Sequence, residues 1–204
     1  MALRALYERL KLHVLDCTSL VTIGNPFFGA YEKLVLGLPN EIFLNARLIA
    51  SGWSYAGMGF LFAGGRDLSR KLFGISKQSP EKKQETHDAL YAMAYNSVLA
   101  PLIYGFSGAD FKQACWGTVF AVGTAIPTGI VAGYAIDIGR DLAGIDESPR
   151  LPKRLKEWAS WKKKGLYAAA VAGSIGLTCL LYRVPSGNPA VPEPKVTLEQ
   201  QIER

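Results

Sequence analysis

Long apolar runs alternate with short charged ones along this chain. Five runs approach the roughly 17–25 residues that a membrane-crossing helix needs: 13–36, 46–65, 88–107, 114–137 and 165–182. They lack period-two alternation and exceed strand length, so the pattern predicts helices. A basic amphipathic segment, MALRALYERLKL, precedes them over 1–12. A second basic segment fills 143–164, with Leu151, Leu155, Trp158 and Trp161 gathered on one side of a helical projection. It reads as a helix lying in the membrane interface, Trp at headgroup level. The tail over 183–204 is rich in Pro and polar residues and reads as disordered. The expectation is an all-α integral membrane protein, with a four-span core over 13–142, an interfacial helix over 143–164 and a fifth span over 165–182.

Charge changes the picture by its placement. The 204 residues carry a formal net charge of +6, which by itself would suit nucleic acid. Three basic residues (Arg4, Arg9, Lys11) precede the first run. Six (Arg66, Arg70, Lys71, Lys77, Lys82, Lys83) lie between runs two and three. Eight (Arg140, Arg150, Lys153, Arg154, Lys156, Lys162, Lys163, Lys164) lie between runs four and five. Those seventeen of 23 share one face of the membrane. Basic loops stay in the cytoplasm, so the amino terminus is expected inside a plasma (inner) membrane and, after five spans, the carboxyl terminus outside. No nucleic-acid partner is implied. The first residues lack the short apolar core and small-residue site of a cleaved signal. Cys17, Cys115 and Cys179 fall in three separate runs, which is neither a disulfide framework nor a metal site; they read as buried small hydrophobes.

The four-run core contains an echo. The tetrapeptide GRDL occurs at Gly65 and again at Gly139. Asp16 opens the first run and Asp88 the third, and the turns LGLPNEIF and GFSGADFKQ occupy matching places. This reads as a duplicated two-helix hairpin. Copies with an even number of spans share one orientation, the parallel-repeat plan of some transporters.

No HExxH, Walker lysine loop, GxSxG or paired metal ligands occur, so neither an enzyme nor a cofactor is expected. The candidate chemistry is charge inside the membrane, where ionisable groups usually pair and mark a path for substrate or protons. Asp16, Arg66 with Asp67, Asp88, and Asp137 with Arg140 cluster at the inner ends of the runs. Asp16 and Asp88 near helix starts also suit the helix dipole, whereas Asp137 at a helix end does not. Glu32 and Arg47 are placed to pair across the first outer turn. Asn25 and Pro26 sit near mid-membrane, where a missing amide frees a carbonyl. His13 and His87 at inner helix starts read as solvated interfacial side chains, with a proton relay as the minority reading. Ala125, Gly129 and Gly133 line one helix face and admit a close neighbour, the expected contact of a homo-oligomer.

These residues resemble the bacterial L-alanine exporter family of small four-helix inner-membrane proteins, over about Asp16 to Leu142. The first hairpin carries Glu32, Gly37, Glu41, RL at Arg47 and RDL at Arg66. The second carries Asp88, GAD at Gly108 to Asp110, Gln113, Gly129, GY at Gly133 and Asp137. The resemblance implies proton-gradient-driven export of L-alanine, cytoplasmic termini on a four-span core, and weight on Asp88 and on Gly129 with Gly133. The chain departs from the pattern by a one-residue shift between Arg47 and Arg66, by its basic segment and by its fifth run. A small zwitterion needs a cation for its carboxylate, which Arg47 or Arg66 could supply. It needs an acid or free carbonyls for its ammonium, from Asp88, Asn25 or the backbone near Pro26. The expected function is a secondary transporter of L-alanine or another small neutral amino acid, with protons and membrane lipids as its other partners. The alternatives are a non-transporting membrane subunit that packs through Gly-rich faces, or a channel for another small solute.

Overall fold

The computed structural model describes residues 2–185. Within them lie eight α-helices and no strand. These are α1 (Ala2–Leu34), α2 (Asn40–Trp53), α3 (Gly59–Leu72), α4 (Glu81–Phe106), α5 (Phe111–Gly123), α6 (Ala125–Leu142), α7 (Lys153–Lys156) and α8 (Ser160–Tyr182). By length and composition, α4 and α8 can each cross a membrane. The pair α5 and α6 meets the same condition together, bent by 63°. Two to three crossings are therefore supported. Of the expected tail, residues 186–204 lie outside the described residues.

Two expected spans are broken helices. A π-helical turn, Ser54–Met58, separates α2 from α3, and Gly57 within it has φ 132°. The second break falls at Thr124, between α5 and α6. Pro127 explains its position: the ring has no N–H to donate and clashes with the carbonyl four residues back, at Gly123, where α5 stops. Pro26, by contrast, leaves α1 continuous, so irregular backbone sits at the two breaks and not near Asn25. Of the segment 1–12, expected as a separate element, residues 2–12 form the first turns of α1.

The ends of α3 and α6 that the charge pattern would place inside, called inner for short and the opposite ends outer, stop identically. After α3, Gly74 takes φ 62° and Ile75 N–H donates to Arg70 O at 2.7 Å. After α6, Gly144 takes φ 73° and Ile145 N–H donates to Arg140 O at 2.8 Å. Both are glycine-capped Schellman ends, written as LFGI and LAGI. The LFGI copy lies one helical turn further beyond its GRDL, and that extra turn carries Arg70.

Helix α4 packs on α5 and α6, while α1 packs on α6 and α8. The core between them is built from Phe62, Ala63, Ala92, Ala125 and Ile136. The Ala125–Gly129–Gly133 stripe belongs here and corrects the expected oligomer contact. Ala125 is fully buried. A Cβ on Gly129 would lie 2.6 Å from both Ala92 Cβ and the Asp88 carbonyl oxygen, and one on Gly133 would meet the Asp88 carboxylate. The close neighbour these small residues admit is α4 of the same chain, so this face is closed to a second copy.

The segment 143–164 is also not the expected interfacial helix. Only α7, a single turn, is helical before α8 begins at Ser160. The preceding residues form a strap across the inner end of the bundle. Leu151 is buried beneath it, Ser148 N–H donates to Asp141 Oδ2 at 2.8 Å, and Lys77 pairs with Asp146 at 2.5 Å. Of the apolar side read from the sequence only Leu151 is buried; Leu155 is half-buried, and Trp158 and Trp161 are exposed. The strap's polar groups find partners on α6 and on the loop between α3 and α4.

Candidate functional site

Charged side chains at the inner end form one network, mostly buried, with Asp67 at its half-exposed edge. Arg140 on α6 makes two parallel bonds to Asp16 on α1, at 2.8 and 2.7 Å, and reaches Asp67 at 3.0 Å. Arg66 on α3 holds Asp137 on α6 at 2.6 Å and lies 3.9 Å from Asp88 on α4. It also donates to Gly133 O at 3.1 Å. Each GRDL arginine thus approaches the acid that opens the other hairpin. Arg70 takes Asp88 in a two-pronged grip, Nε at 2.9 Å with Nη2 closer still. Arg150 from the strap adds bonds to Asp137 at 2.9 Å and to Asp88 at 3.4 Å. Four carboxylates (Asp16, Asp67, Asp88, Asp137) therefore meet four guanidiniums (Arg66, Arg70, Arg140, Arg150), and the network is neutral as drawn. Neutrality with good geometry is what allows charge to stay ionised away from water.

Four of the seventeen inner basic residues, Arg66, Arg70, Arg140 and Arg150, thus belong to this network and are not loop charge. Of the two histidines, His87 departs from the solvated reading, while His13 is partly exposed. His87 is buried, its Nε2 2.9 Å from Ser69 Oγ and its Nδ1 3.4 Å from Asp88. His13 Nε2 bonds the Tyr55 carbonyl at 2.8 Å. Among the cysteines only Cys17 is buried; Cys115 and Cys179 are exposed.

A second ionic site lies at the outer end. Arg47 on α2 pairs with Glu32 on α1 at 2.5 Å, and Tyr104 on α4 donates to the same Glu32 oxygen at 3.0 Å. The pair is buried, yet Arg47 Nε and Glu32 Oε2 make no hydrogen bond within the described residues. A buried donor left without a partner costs about 1–3 kcal/mol, so this pair is held at a cost.

A cavity lies between the two ionic sites. Its volume is about 150 Å³, and it opens among α1, α2, α4 and α6. Arg47 and Tyr104 stand on its outer side, with Asn25, Asn96 and Thr128 supplying polar wall. Residues flanking both helix breaks line it, Ser54 and Gly59 at one and Ala121 and Thr128 at the other. Breaking a helix beside a cavity is tolerated because the loosened backbone finds partners. Tyr95 O–H donates to Met58 O at 2.7 Å, and Asn96 Nδ2 to Ala121 O at 3.2 Å.

The expected site residues thus separate into three places. Asp16, Arg66, Asp67, Asp88, Asp137 and Arg140 form the inner network. Glu32 and Arg47 form the outer pair, and Asn25 lies on the cavity wall, its Nδ2 on Ser51 Oγ at 3.0 Å. Sequence reasoning missed Arg70, Tyr104, Asn96 and Arg150. Two carried readable signals: Arg70 follows Arg66 by four residues and Asn96 follows Asp88 by eight, each on the same helix face. Arg150 carried none, since nothing local in the strap reveals what it reaches. Comparison with protein-family models, with curated proteins and with solved structures finds no match to this chain.

Proposed function

We propose that the chain is a secondary transporter that carries L-alanine, or another small neutral amino acid, out of the cytoplasm on the proton gradient. The cavity carries this reading. A comparable apolar cavity of ~150 Å³ holds benzene, which has as many non-hydrogen atoms as alanine. Here the walls are mostly apolar and partly aromatic, with amides and one guanidinium added. Solute sites between broken helices near the membrane midplane are a transporter plan. Arg47 is the residue for the substrate carboxylate, because it lines the cavity, whereas Arg66 lies outside it and is engaged by Asp137 and Gly133. The reading takes the core as two parallel-repeat hairpins, α1 with α2–α3 and α4 with α5–α6. The crossed GRDL pairings and the matching Schellman ends support it. In this reading α8 is the fifth span, and the amino terminus faces the cytoplasm of a cell whose inner membrane holds the protein. A non-transporting subunit would leave the cavity without a use.

Cells fed an alanine dipeptide and carrying the protein should accumulate less internal alanine than cells without it, and the difference should vanish when the proton gradient is collapsed. Equal internal alanine would end the proposal; a difference that survives collapse would make the chain a channel. Within the transporter, Arg47→Lys keeps the charge beside Glu32 and removes Nε. Loss of one charged hydrogen bond should weaken alanine binding about 10- to 100-fold. Unchanged half-saturation in proteoliposomes would assign the carboxylate to another group.

Orientation has its own test. A membrane-impermeant thiol label at a cysteine introduced beyond Arg183 should react in intact cells, in a background without Cys115 and Cys179. Protection there, with labelling after lysis, would mean that α8 does not cross and that both ends lie inside.

A further inference from the structure

Arg150 belongs to no apolar run and to no helix, yet its side chain is 3% exposed. It enters the inner network from the strap. Its Nη1 meets Asp137 at 2.9 Å and Asp88 at 3.4 Å, and its guanidinium carbon lies 4.3 Å from the centre of the Tyr134 ring. Tyr134 is itself turned by its hydroxyl, which donates to Glu81 and Glu85. Two carboxylates and an aromatic face are the groups that hold a guanidinium or an alkylammonium. The fit to this occupant is incomplete: Arg150 Nε and Nη2 are buried and make no hydrogen bond within the described residues.

The other two arginines on these carboxylates, Arg66 and Arg70, are fixed to α3. Arg150 alone rides on a non-helical segment, held from below by buried Leu151 and by the Ser148 N–H bond to Asp141. The strap's outer tether, Lys77 to Asp146, is half-exposed, and exposed ion pairs contribute little holding energy. Beneath the strap is a hollow of about 10 Å³, bordered by Lys77, Gln84, Asp137, Arg140 and Ser148. That is space for about one water, and it reaches Asp137. With Arg150 withdrawn, the four carboxylates would face three guanidiniums, and a single cation would restore neutrality.

We propose that Asp88, Asp137 and the Tyr134 ring form a binding site for a small monovalent cation bearing N–H groups, of which Arg150 is the tethered occupant, displaced when the strap lifts. The site is independent of the transport reading, although an ammonium group approaching from the strap's side would meet it first. Its test is a binding measurement on the purified full chain, with methylguanidinium as the probe and tetramethylammonium, which has no N–H, as the control.

Arg150→Ala should lower the melting temperature by about 5–10 °C, as expected for breaking a buried ionic contact in a chain of this size. Millimolar methylguanidinium should restore at least half of that loss, and tetramethylammonium none of it. A variant that melts with the wild type, or equal effects of the two cations, overturns the proposal. Lys77→Ala provides a second measurement in a protein whose site is intact, since it removes only the exposed tether. Methylguanidinium should then compete with Arg150 and speed cleavage of the strap at Glu147 by a glutamate-specific protease several-fold over tetramethylammonium. Equal cleavage rates in the two cations overturn it as well.

Discussion

Gly129→Leu will prevent α4 and α6 from closing, and the protein will not survive purification as a folded species. A Cβ at this position already lies 2.6 Å from the Asp88 carbonyl oxygen and from Ala92 Cβ, and 2.9 Å from Ala89 Cα. Two of those three atoms are backbone, so the neighbour cannot swing aside as a long side chain would. Overpacking commonly costs about 1–3 kcal/mol and more where backbone must move, and leucine adds three further carbons to the clash. Gly133→Ala will act through chemistry instead. Its methyl would occupy the position of the Asp88 carboxylate and come within 3.1 Å of Arg150 Nη1. The carboxylate must then leave Arg70. Gly176→Leu on α8, where an added Cβ meets nothing, is the control. The three proteins are compared by thermal melting in detergent. A Gly129→Leu protein melting with the Gly176→Leu protein would show that α4 and α6 do not approach as closely as described.

Asp88→Asn will be both destabilised and unable to export. Asp88 lies two turns inside α4, which begins at Glu81, so it does not cap a helix and the dipole benefit open to it near a helix start does not apply. It is 1% exposed and held by Arg70, with Arg150 and Arg66 close by. Removing one partner of a buried ion pair costs about 3–5 kcal/mol, because the other charge stays buried unpaired, whereas removing both is often close to neutral. Asp88→Asn combined with Arg70→Gln should therefore recover most of the lost stability. Export should not recover, since neither amide titrates nor supplies a negative charge. The measurement is a double-mutant cycle of melting temperatures with alanine efflux at matched protein levels. Recovery of both stability and efflux in the double variant would make Asp88 structural alone. A single variant that melts with the wild type would contradict the buried pairing itself.

The inner network shows how far residue spacing reaches. GRDL written twice located Arg66 and Arg140, and acids opening two runs located Asp16 and Asp88. Partner choice was not legible, because the pairs cross: Arg140 joins Asp16 over a separation of 124 residues, and Arg66 reaches toward Asp88 and Asp137. Arg70 was passed over as loop charge, although its spacing from Arg66 repeats the helix face. The breaks at Ser54–Met58 and Thr124 carried partial signals, Gly57 at one and Pro127 at the other.

Read alone, the chain establishes that it is built from long apolar helices, that its charge gathers at one end of them, and where several of those helices stop. These are properties of a helix and its own residues: run length, glycine at a left-handed cap, proline beside a break. The folded arrangement decides which apolar face meets protein. In a bilayer, lipid is as apolar as a neighbouring helix, so hydrophobicity does not distinguish the Gly129–Gly133 stripe buried against α4 from one that would meet a second copy. It also decides charge pairing and the cavity. Coulomb energy depends on separation in space and on burial, and only the packed chain brings Arg150 to Asp137 and Arg47 to the cavity beside Glu32.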